Sequence, residues 1–357
     1  MPRIPLTDFL TGPTHAPILD VRAPLEYAHG HIPGALNLPL FSNEERARIG
    51  TTYKQVSQEK AVLLGLDFFG PNMSSMVKQA QKLAPNKEVR LHCWRGGMRS
   101  GAVQWLLELA GFRVHLLDKG YKDYRRWVLE QFSQPLPLLV LGGLTGSGKT
   151  DVLQVLAHRG ETIIDLEGLA HHKGSSFGGI GMEAQPTPEQ FENDLAGALS
   201  RTPLDNLIWV EDESLMIGAV HLPKPLYEQM HRAPLIVLEV PRPMRTRKLA
   251  EEYCQADPEL LKAAIQRISK RLGGLATQEA LAAIDAGDME KMVDLALTYY
   301  DKAYRYALAA RTGTQLIQVP SETCDPVENA GRVMAALRRE GISNLPATMS
   351  LPDTDVA

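Results

Sequence analysis

Ten residues, Leu91–Ser100 (LHCWRGGMRS), carry the sequence's clearest chemical signal. A short apolar run, Val89-Arg90-Leu91, reads as the end of a strand that stops at His92-Cys93. Gly96 and Gly97 follow, and Arg99-Ser100 open a helical pattern, GAVQWLLELAG. Two glycines let the backbone curl with its N–H groups turned toward the sulfur. The helix start adds partial positive charge, and Arg95 and Arg99 add full charges. All of these features are expected to favour thiolate over thiol. Cys93, Arg95 and Arg99 are therefore the candidate catalytic residues, with Cys93 a nucleophile or a chalcogen carrier. The competing reading, a buried structural cysteine, leaves the arginines and the Gly-Gly pair without a purpose.

A second constellation follows at Gly143-Leu144-Thr145-Gly146-Ser147-Gly148-Lys149-Thr150. Leu138–Leu141 before it reads as a buried strand and Asp151–His158 after it as a helix, the setting a Walker A loop requires. Gly143, Gly146, Ser147 and Gly148 offer backbone N–H groups to a diphosphate. Lys149 reaches the outer phosphate oxygens, and Thr150 can hold Mg²⁺. Asn206–Val210 reads as a strand ending in Glu211-Asp212-Glu213, where P-loop enzymes place a carboxylate for the metal. Asp212 is the metal candidate beside Thr150; Glu211 and Glu213 stay open, as does a solvated acidic turn.

The strand Leu235–Val240 delivers four cations, Arg242, Arg245, Arg247 and Lys248, as candidates for RNA or phosphate. Arg267, Lys270 and Arg271 share a helix face, where plain solvation is an equal reading. Tyr299, Tyr300, Tyr304 and Tyr306 can stack on bases, but the i, i+4 spacing of Tyr300 and Tyr304 favours core packing. Adjacent His171-His172 point in different directions on regular structure. Their glycine-rich stretch therefore reads as a substrate-facing loop rather than a metal site.

These loops need strands and helices to hold them. With 357 residues the chain has room for about two domains. Residues 1–133 read as a first α/β domain, with helical pattern from 41 to 88 broken at Gly65, Gly70 and Pro71. The uncharged, Pro-containing stretch Gln134–Pro137 reads as a linker. Residues 138–340 read as a P-loop domain with a helical insertion at about 256–310, and 341–357 as a disordered tail. A net charge of −4 supplies no global field for nucleic acid, so such a partner needs local patches. Three widely spaced cysteines suit a reducing compartment. The N-terminus has no apolar signal-peptide core, and no run approaches the roughly 18 apolar residues of a membrane span. The expectation is a cytoplasmic protein with no membrane partner.

The first 130 residues carry DVR, then E-Y-x-x-G-H-I-P-G-A-x-N-L-P, then a strand, a cysteine loop and a helix. This pattern resembles the rhodanese domain, whose loop cysteine carries a persulfide. Cys93, five intervening residues, then Arg99-Ser100 also resemble the signature of cysteine-dependent phosphatases. That loop is one residue longer than the usual sulfur-transfer loop, so it suits a tetrahedral oxyanion or a larger chalcogen. The pairing of HCWRGGMRS with GGLTGSGKT, IIDLEGLAHHKGSSFGG and VEDES is similar to the tRNA 2-selenouridine synthase family. That resemblance implies an α/β fold: a rhodanese-like three-layer domain, then a P-loop domain with a mainly parallel sheet and a helical insertion. It implies an enzyme that replaces sulfur by selenium in the wobble 2-thiouridine of tRNA. The co-substrates would be geranyl diphosphate, through an S-geranyl intermediate, and selenophosphate, with Mg²⁺ at the P-loop. The implied partners are the tRNA anticodon loop and a selenophosphate-supplying enzyme. Three other readings stay open: an ATP-dependent sulfurtransferase or kinase, a cysteine-dependent phosphatase, and a non-catalytic tRNA-binding module.

Overall fold

A computed structural model describes residues 3–12, 16–203 and 205–342. The expected tail lies, from 343 onward, outside the described residues. The chain forms two compact units, Met1–Gln131 with Glu192–Gly197, and Phe132–Phe191 with Ala198–Ala357.

The first unit is built from β1 (Arg3–Ile4), α1 (Leu6–Thr11), β2 (Ile18–Asp20), α2 (Pro24–His29), β3 (Leu36–Asn37), α3 (Asn43–Gln55), α4 (Gln58–Leu83), β4 (Glu88–His92), α5 (Met98–Leu109), β5 (Arg113–Leu117) and α6 (Gly120–Gln131). Its strands pair in parallel in the order β1-β5-β4-β2-β3, so β4 runs through the middle. Leu19, Val89, Leu91, Val103 and Leu107 fill the core between sheet and helices. The helical stretch breaks not at Gly65, Gly70 or Pro71 but at Val56-Ser57, where Ser57 caps α4 by accepting from the Lys60 amide at 3.1 Å. Pro71 is tolerated on the exposed side of the long α4. Gly65 faces inward, and a Cβ there would already touch Phe41 at 3.5 Å.

After α6 the chain continues through β6 (Leu138–Gly143), α7 (Lys149–His158), β7 (Thr162–Ile164), α8 (Leu166–Ala170), α9 (Pro188–Ser200) and β8 (Ile208–Glu211), all in the second unit except residues 192–197 of α9. The antiparallel pair β9 (Met216–Ile217) and β10 (Val220–His221) and the helix α10 (Lys224–Arg232) follow. Then come β11 (Leu235–Glu239), α11 (Arg242–Tyr253), α12 (Pro258–Leu272), α13 (Gly274–Ala286), α14 (Met289–Ala309), β12 (Leu316–Pro320) and α15 (Pro326–Arg339). The main sheet is parallel, in the order β12-β11-β6-β8-β7. Every residue of β6 is buried, as a parallel strand covered on both faces demands. Helices α12–α14 pack on one another through Leu261, Ile265, Ile284, Met292 and Leu297. Both units are thus α/β, and the helical insertion has an apolar core of its own. Among the described residues no helix is long and apolar enough to cross a membrane.

Two glycines in the left-handed region shape the turn after β4: Gly96 at φ +64° and Gly120 at φ +62°. A Cβ on Gly120 would lie 2.4 Å from the Cys93 carbonyl oxygen and 2.5 Å from the Gly96 nitrogen. Gly120→Ala is therefore expected to destabilise the first unit by about 2–4 kcal/mol, through the left-handed penalty plus the clash. Urea denaturation measures the loss, and hydrogen exchange should localise it to the Cys93 loop.

Candidate functional site

The central strand β4 ends at His92 and passes directly into Cys93, which is buried. The following turn is held from outside. The amides of Tyr121 and Lys122, in the first turn of α6, donate to the carbonyls of Cys93 at 2.8 Å and Trp94 at 2.9 Å. These two loop carbonyls are thereby occupied, and α6 spends first-turn donors on them. The Cys93 sulfur lies 3.1 Å from Ser100 Oγ, which also sits 3.2 Å from the Gly97 carbonyl. The sulfur's hydrogen bond is thus to a hydroxyl, where the sequence suggested backbone amides. Gly97 is the N-cap of α5 and supplies no side-chain cap to the helix start.

The two loop arginines differ. Arg95 is exposed at the rim. Arg99 is forked onto Glu26, Nη1 to Oε2 at 2.6 Å and Nη2 to Oε1 at 3.2 Å. Burial pushes the Glu26 carboxyl up, but the Arg99 hydrogen bonds and charge outweigh it and hold it below its usual value. Arg99 is therefore held in a fixed position by Glu26. Beneath the loop, buried Arg22 donates to both oxygens of buried Asp20 and to the Gly30 carbonyl at 2.6 Å. Its guanidinium lies 3.8 Å from the centre of the Tyr121 ring. His92 is fully buried, and neither ring nitrogen has a hydrogen-bond partner. Burial holds its pKa below the usual imidazole value despite Asp20 at 3.8 Å. The DVR motif is accordingly an internal strut of the loop's floor.

In the second unit the chain leaves β6 through Gly143 (φ +153°), Gly146 (φ +83°) and Gly148 (φ +82°), then enters α7 at Lys149. Ser147 is buried with its hydroxyl unpartnered. Lys149 Nζ donates to the Gly143 carbonyl at 3.2 Å, folded back over its own loop. Thr150 Oγ1 donates to Glu167 Oε2 at 2.9 Å. Glu167 in turn shares a hydrogen bond with Glu213, whose carboxyl is raised well above its usual value by burial and by Glu167 and Glu211, against the pull of Lys149. Glu211 accepts from the Leu166 amide at 3.0 Å through one oxygen and leaves the other unpartnered. Burial, Asp165 and Glu167 push its pKa up to about 8.

The acidic turn after β8 divides its side chains. Asp212, the metal candidate, is bound to Arg311 Nη1 at 2.7 Å and accepts from Tyr304 at 3.3 Å. Glu213, one residue on, turns instead to Glu167. Glu167 was not singled out from the sequence, although it stands two residues after Asp165, the acid that ends the strand run Thr162–Asp165. The histidine-bearing glycine loop covers this pair: a Cβ on Gly174 would fall 2.5 Å from Glu213 Oε2. Arg267 pins that loop, donating to Ser176 Oγ at 3.1 Å and to its carbonyl at 2.6 Å. Tyr300 accepts from the Ser176 amide at 3.0 Å, so the packing reading holds for Tyr300 as for Tyr304, while Tyr306 is exposed.

The cation candidates after β11 also separate. Arg245 is buried and forked onto Asp301 at 2.9 and 2.8 Å, and it donates to the Thr145 carbonyl at 3.0 Å. It positions the phosphate loop and does not lie on the surface. Arg242 pairs with Asp294 at 2.6 Å and Lys248 with Asp151. Arg247 is exposed. Beside the loop lies a cavity of about 490 Å³, lined by Leu144, Val240, Arg242, Arg245, Lys302 and Arg305. Lys302 and Arg305, on α14, are exposed at its edge, and the sequence reading passed over Lys302 entirely.

A cysteine loop at the edge of one parallel sheet and a Walker A loop at the edge of another define a rhodanese-like unit joined to a P-loop unit. A family model for the rhodanese-like domain matches residues 6–126, and one described as the tRNA 2-selenouridine synthase AAA domain matches 136–329. The tRNA 2-selenouridine synthase of Cronobacter sakazakii is 39% identical over 332 residues, covering 82% of this chain and 86% of that protein. Those of Shewanella sediminis, at 36% over 328 residues, and Shewanella oneidensis, at 37% over 332, cover the same share of this chain and 88% and 86% of their own. The chain belongs to the tRNA 2-selenouridine synthase family and is an enzyme.

Two outcomes follow for stability. Arg245→Met strands Asp301 as a buried unpaired charge and should cost about 3–5 kcal/mol, whereas Arg247→Ala should stay within about 0.5 kcal/mol in the same denaturation assay. Glu211 keeps a proton in the folded protein that the unfolded chain releases near pH 4.5. Stability should therefore fall as pH rises from about 4.5 to about 8, by at most about 1.4 kcal/mol per unit, and level off above. Glu211→Gln should flatten that slope in unfolding titrations run in EDTA.

Proposed function

We propose that this enzyme replaces the sulfur of wobble 2-thiouridine in tRNA by selenium, in two steps at two loops. The P-loop grips the diphosphate of geranyl diphosphate. The thiouridine sulfur attacks the carbon bearing the diphosphate, the C–O bond breaks, and diphosphate departs. Alkylation turns the sulfur into a leaving group. The Cys93 loop then handles selenophosphate, and selenium displaces the geranyl thiol. The observation that carries this reading is one chain holding both an anion-ready thiol loop and a diphosphate loop, in a family named for the selenouridine product.

Lys149 is free to exchange the Gly143 carbonyl for phosphate oxygens, and the orphan Ser147 hydroxyl and the loop amides add donors where charge builds on the leaving group. The oxygen donors of Thr150, Glu167 and Glu213 suit Mg²⁺, which keeps several waters and takes substrate phosphates as further ligands. When bound, the ion would neutralise the departing diphosphate. Lys302 and Arg305, at the rim of the cavity beside the P-loop, are the cations we assign to tRNA phosphates, in place of Arg245.

Thiolated tRNA is incubated with geranyl diphosphate and then with selenophosphate, with nucleoside mass spectrometry after each addition. Lys149→Ala should lower S-geranylation about 100-fold or more. Cys93→Ala should geranylate normally and form no selenouridine. Selenation by Cys93→Ala removes the role given to the thiol. ATP hydrolysis that depends on tRNA, with no geranyl product, replaces this reading by an ATP-driven one.

A further inference from the structure

We infer that Cys93 accepts the phosphoryl group of the selenium donor and does not carry the selenium itself. The inference rests on selenophosphate being the donor at this loop.

Oxidation states decide first. Selenium in selenophosphate is at the level of selenide, and so is the selenium that must reach the nucleoside. Parking it on sulfur as a perselenide requires an oxidant on loading and a reductant on delivery. Cys93 is the first unit's one cysteine, since the other two in the chain are Cys254 and Cys324, so a neighbouring thiol cannot serve within that unit. Transfer of phosphorus needs neither reagent. The Cys93 thiolate attacks phosphorus, an S–P bond forms, the P–Se bond breaks, and selenide leaves with the electron pair. Water then attacks phosphorus, the S–P bond breaks, phosphate departs, and the thiolate is restored. The freed selenide attacks C2 of the S-geranyl nucleoside and expels the geranyl thiolate. Atoms and electrons balance throughout. The donor's own phosphoryl proton moves to selenium as the P–Se bond breaks, so the leaving group is hydrogen selenide, a weak base whose departure needs no general acid from the protein.

The loop is shaped for that phosphorus. The carbonyls of Cys93 and Trp94, which would repel an oxyanion, are consumed by the amides of Tyr121 and Lys122. The start of the 12-residue helix α5 has no side-chain cap, which leaves its first amides for anion oxygens. Glu26 holds both terminal nitrogens of Arg99 and fixes the guanidinium beside the loop. Ser100 completes the cycle. Its one hydroxyl proton has two acceptors within reach, the Gly97 carbonyl at 3.2 Å and the sulfur at 3.1 Å. A neutral or phosphorylated sulfur leaves the proton on Gly97. A thiolate emerging from the S–P bond takes it. Ser100 is thus assigned to the second step and not the first.

The test uses the full chain with selenophosphate and no tRNA, stopped by denaturation and followed by mass spectrometry of the Cys93 peptide. Phosphorus on Cys93 is the expected adduct, and selenium is distinguishable by its isotope pattern. Ser100→Ala should give an undiminished burst of selenide with phosphate release slowed about 10- to 100-fold, the worth of one hydrogen bond to a developing charge. Ser100→Thr, which keeps the hydroxyl, should restore release and so separates this role from damage to folding. Selenium on Cys93, or no phosphorus on it in wild type and Ser100→Ala alike, overturns the inference. Either result leaves the wider reading standing as long as Cys93→Ala still fails to selenate geranylated tRNA.

Discussion

Parallel pairing governs where chemistry can occur in this protein. When every strand of a sheet runs the same way, every strand hands its chain to the same edge, and the connections there are the turns free of covering helices. In the first unit β4 occupies the middle of the sheet and releases Cys93. In the second, β6 occupies the middle and releases the phosphate loop. Each loop is then followed by a helix whose first amides face the same edge. Backbone alone therefore places partial positive charge beside each loop, before any lysine or arginine is counted.

Charged side chains near those loops mostly serve as struts. Arg22, Arg245 and Arg311 are each forked onto, or bonded to, a carboxylate and also donate to main-chain carbonyls. Guanidinium suits this work because its planar fork satisfies a carboxylate and still has donors left for a loop. Arg245 spans from the insertion helix α14, through Asp301, to the outer turn of the phosphate loop. A cation that sequence alone places in a binding cluster therefore acts as a bolt between elements.

The motifs with fixed spacing were legible in the sequence. Gly143 to Thr150 and Cys93 to Ser100 read correctly as strand–loop–helix because their backbones allow few alternatives. Partner choice was not legible. Asp212 and Glu213 are neighbours on one turn, yet Asp212 is held by Arg311, 99 residues away, and by Tyr304, 92 away, while Glu213 bonds to Glu167. Glu167 was passed over for the same reason, since its meaning comes from Thr150, 17 residues earlier. The helix break was misplaced because Gly and Pro weigh heavily as local signals. In α4 packing against Phe41 and the open side at Pro71 override them.

Gly96 and Gly120 lie in different turns, yet each occupies the space that a methyl group on the other would need: a Cβ on Gly96 would meet the Gly120 nitrogen at 3.2 Å. Neither can be exchanged alone, and exchanging both only compounds the collision. A lineage drifting by single substitutions finds this corner closed in every direction. The thiol loop is thereby locked into one shape, and the freedom to vary lies at its rim, at Arg95 and Met98, which stand open to solvent.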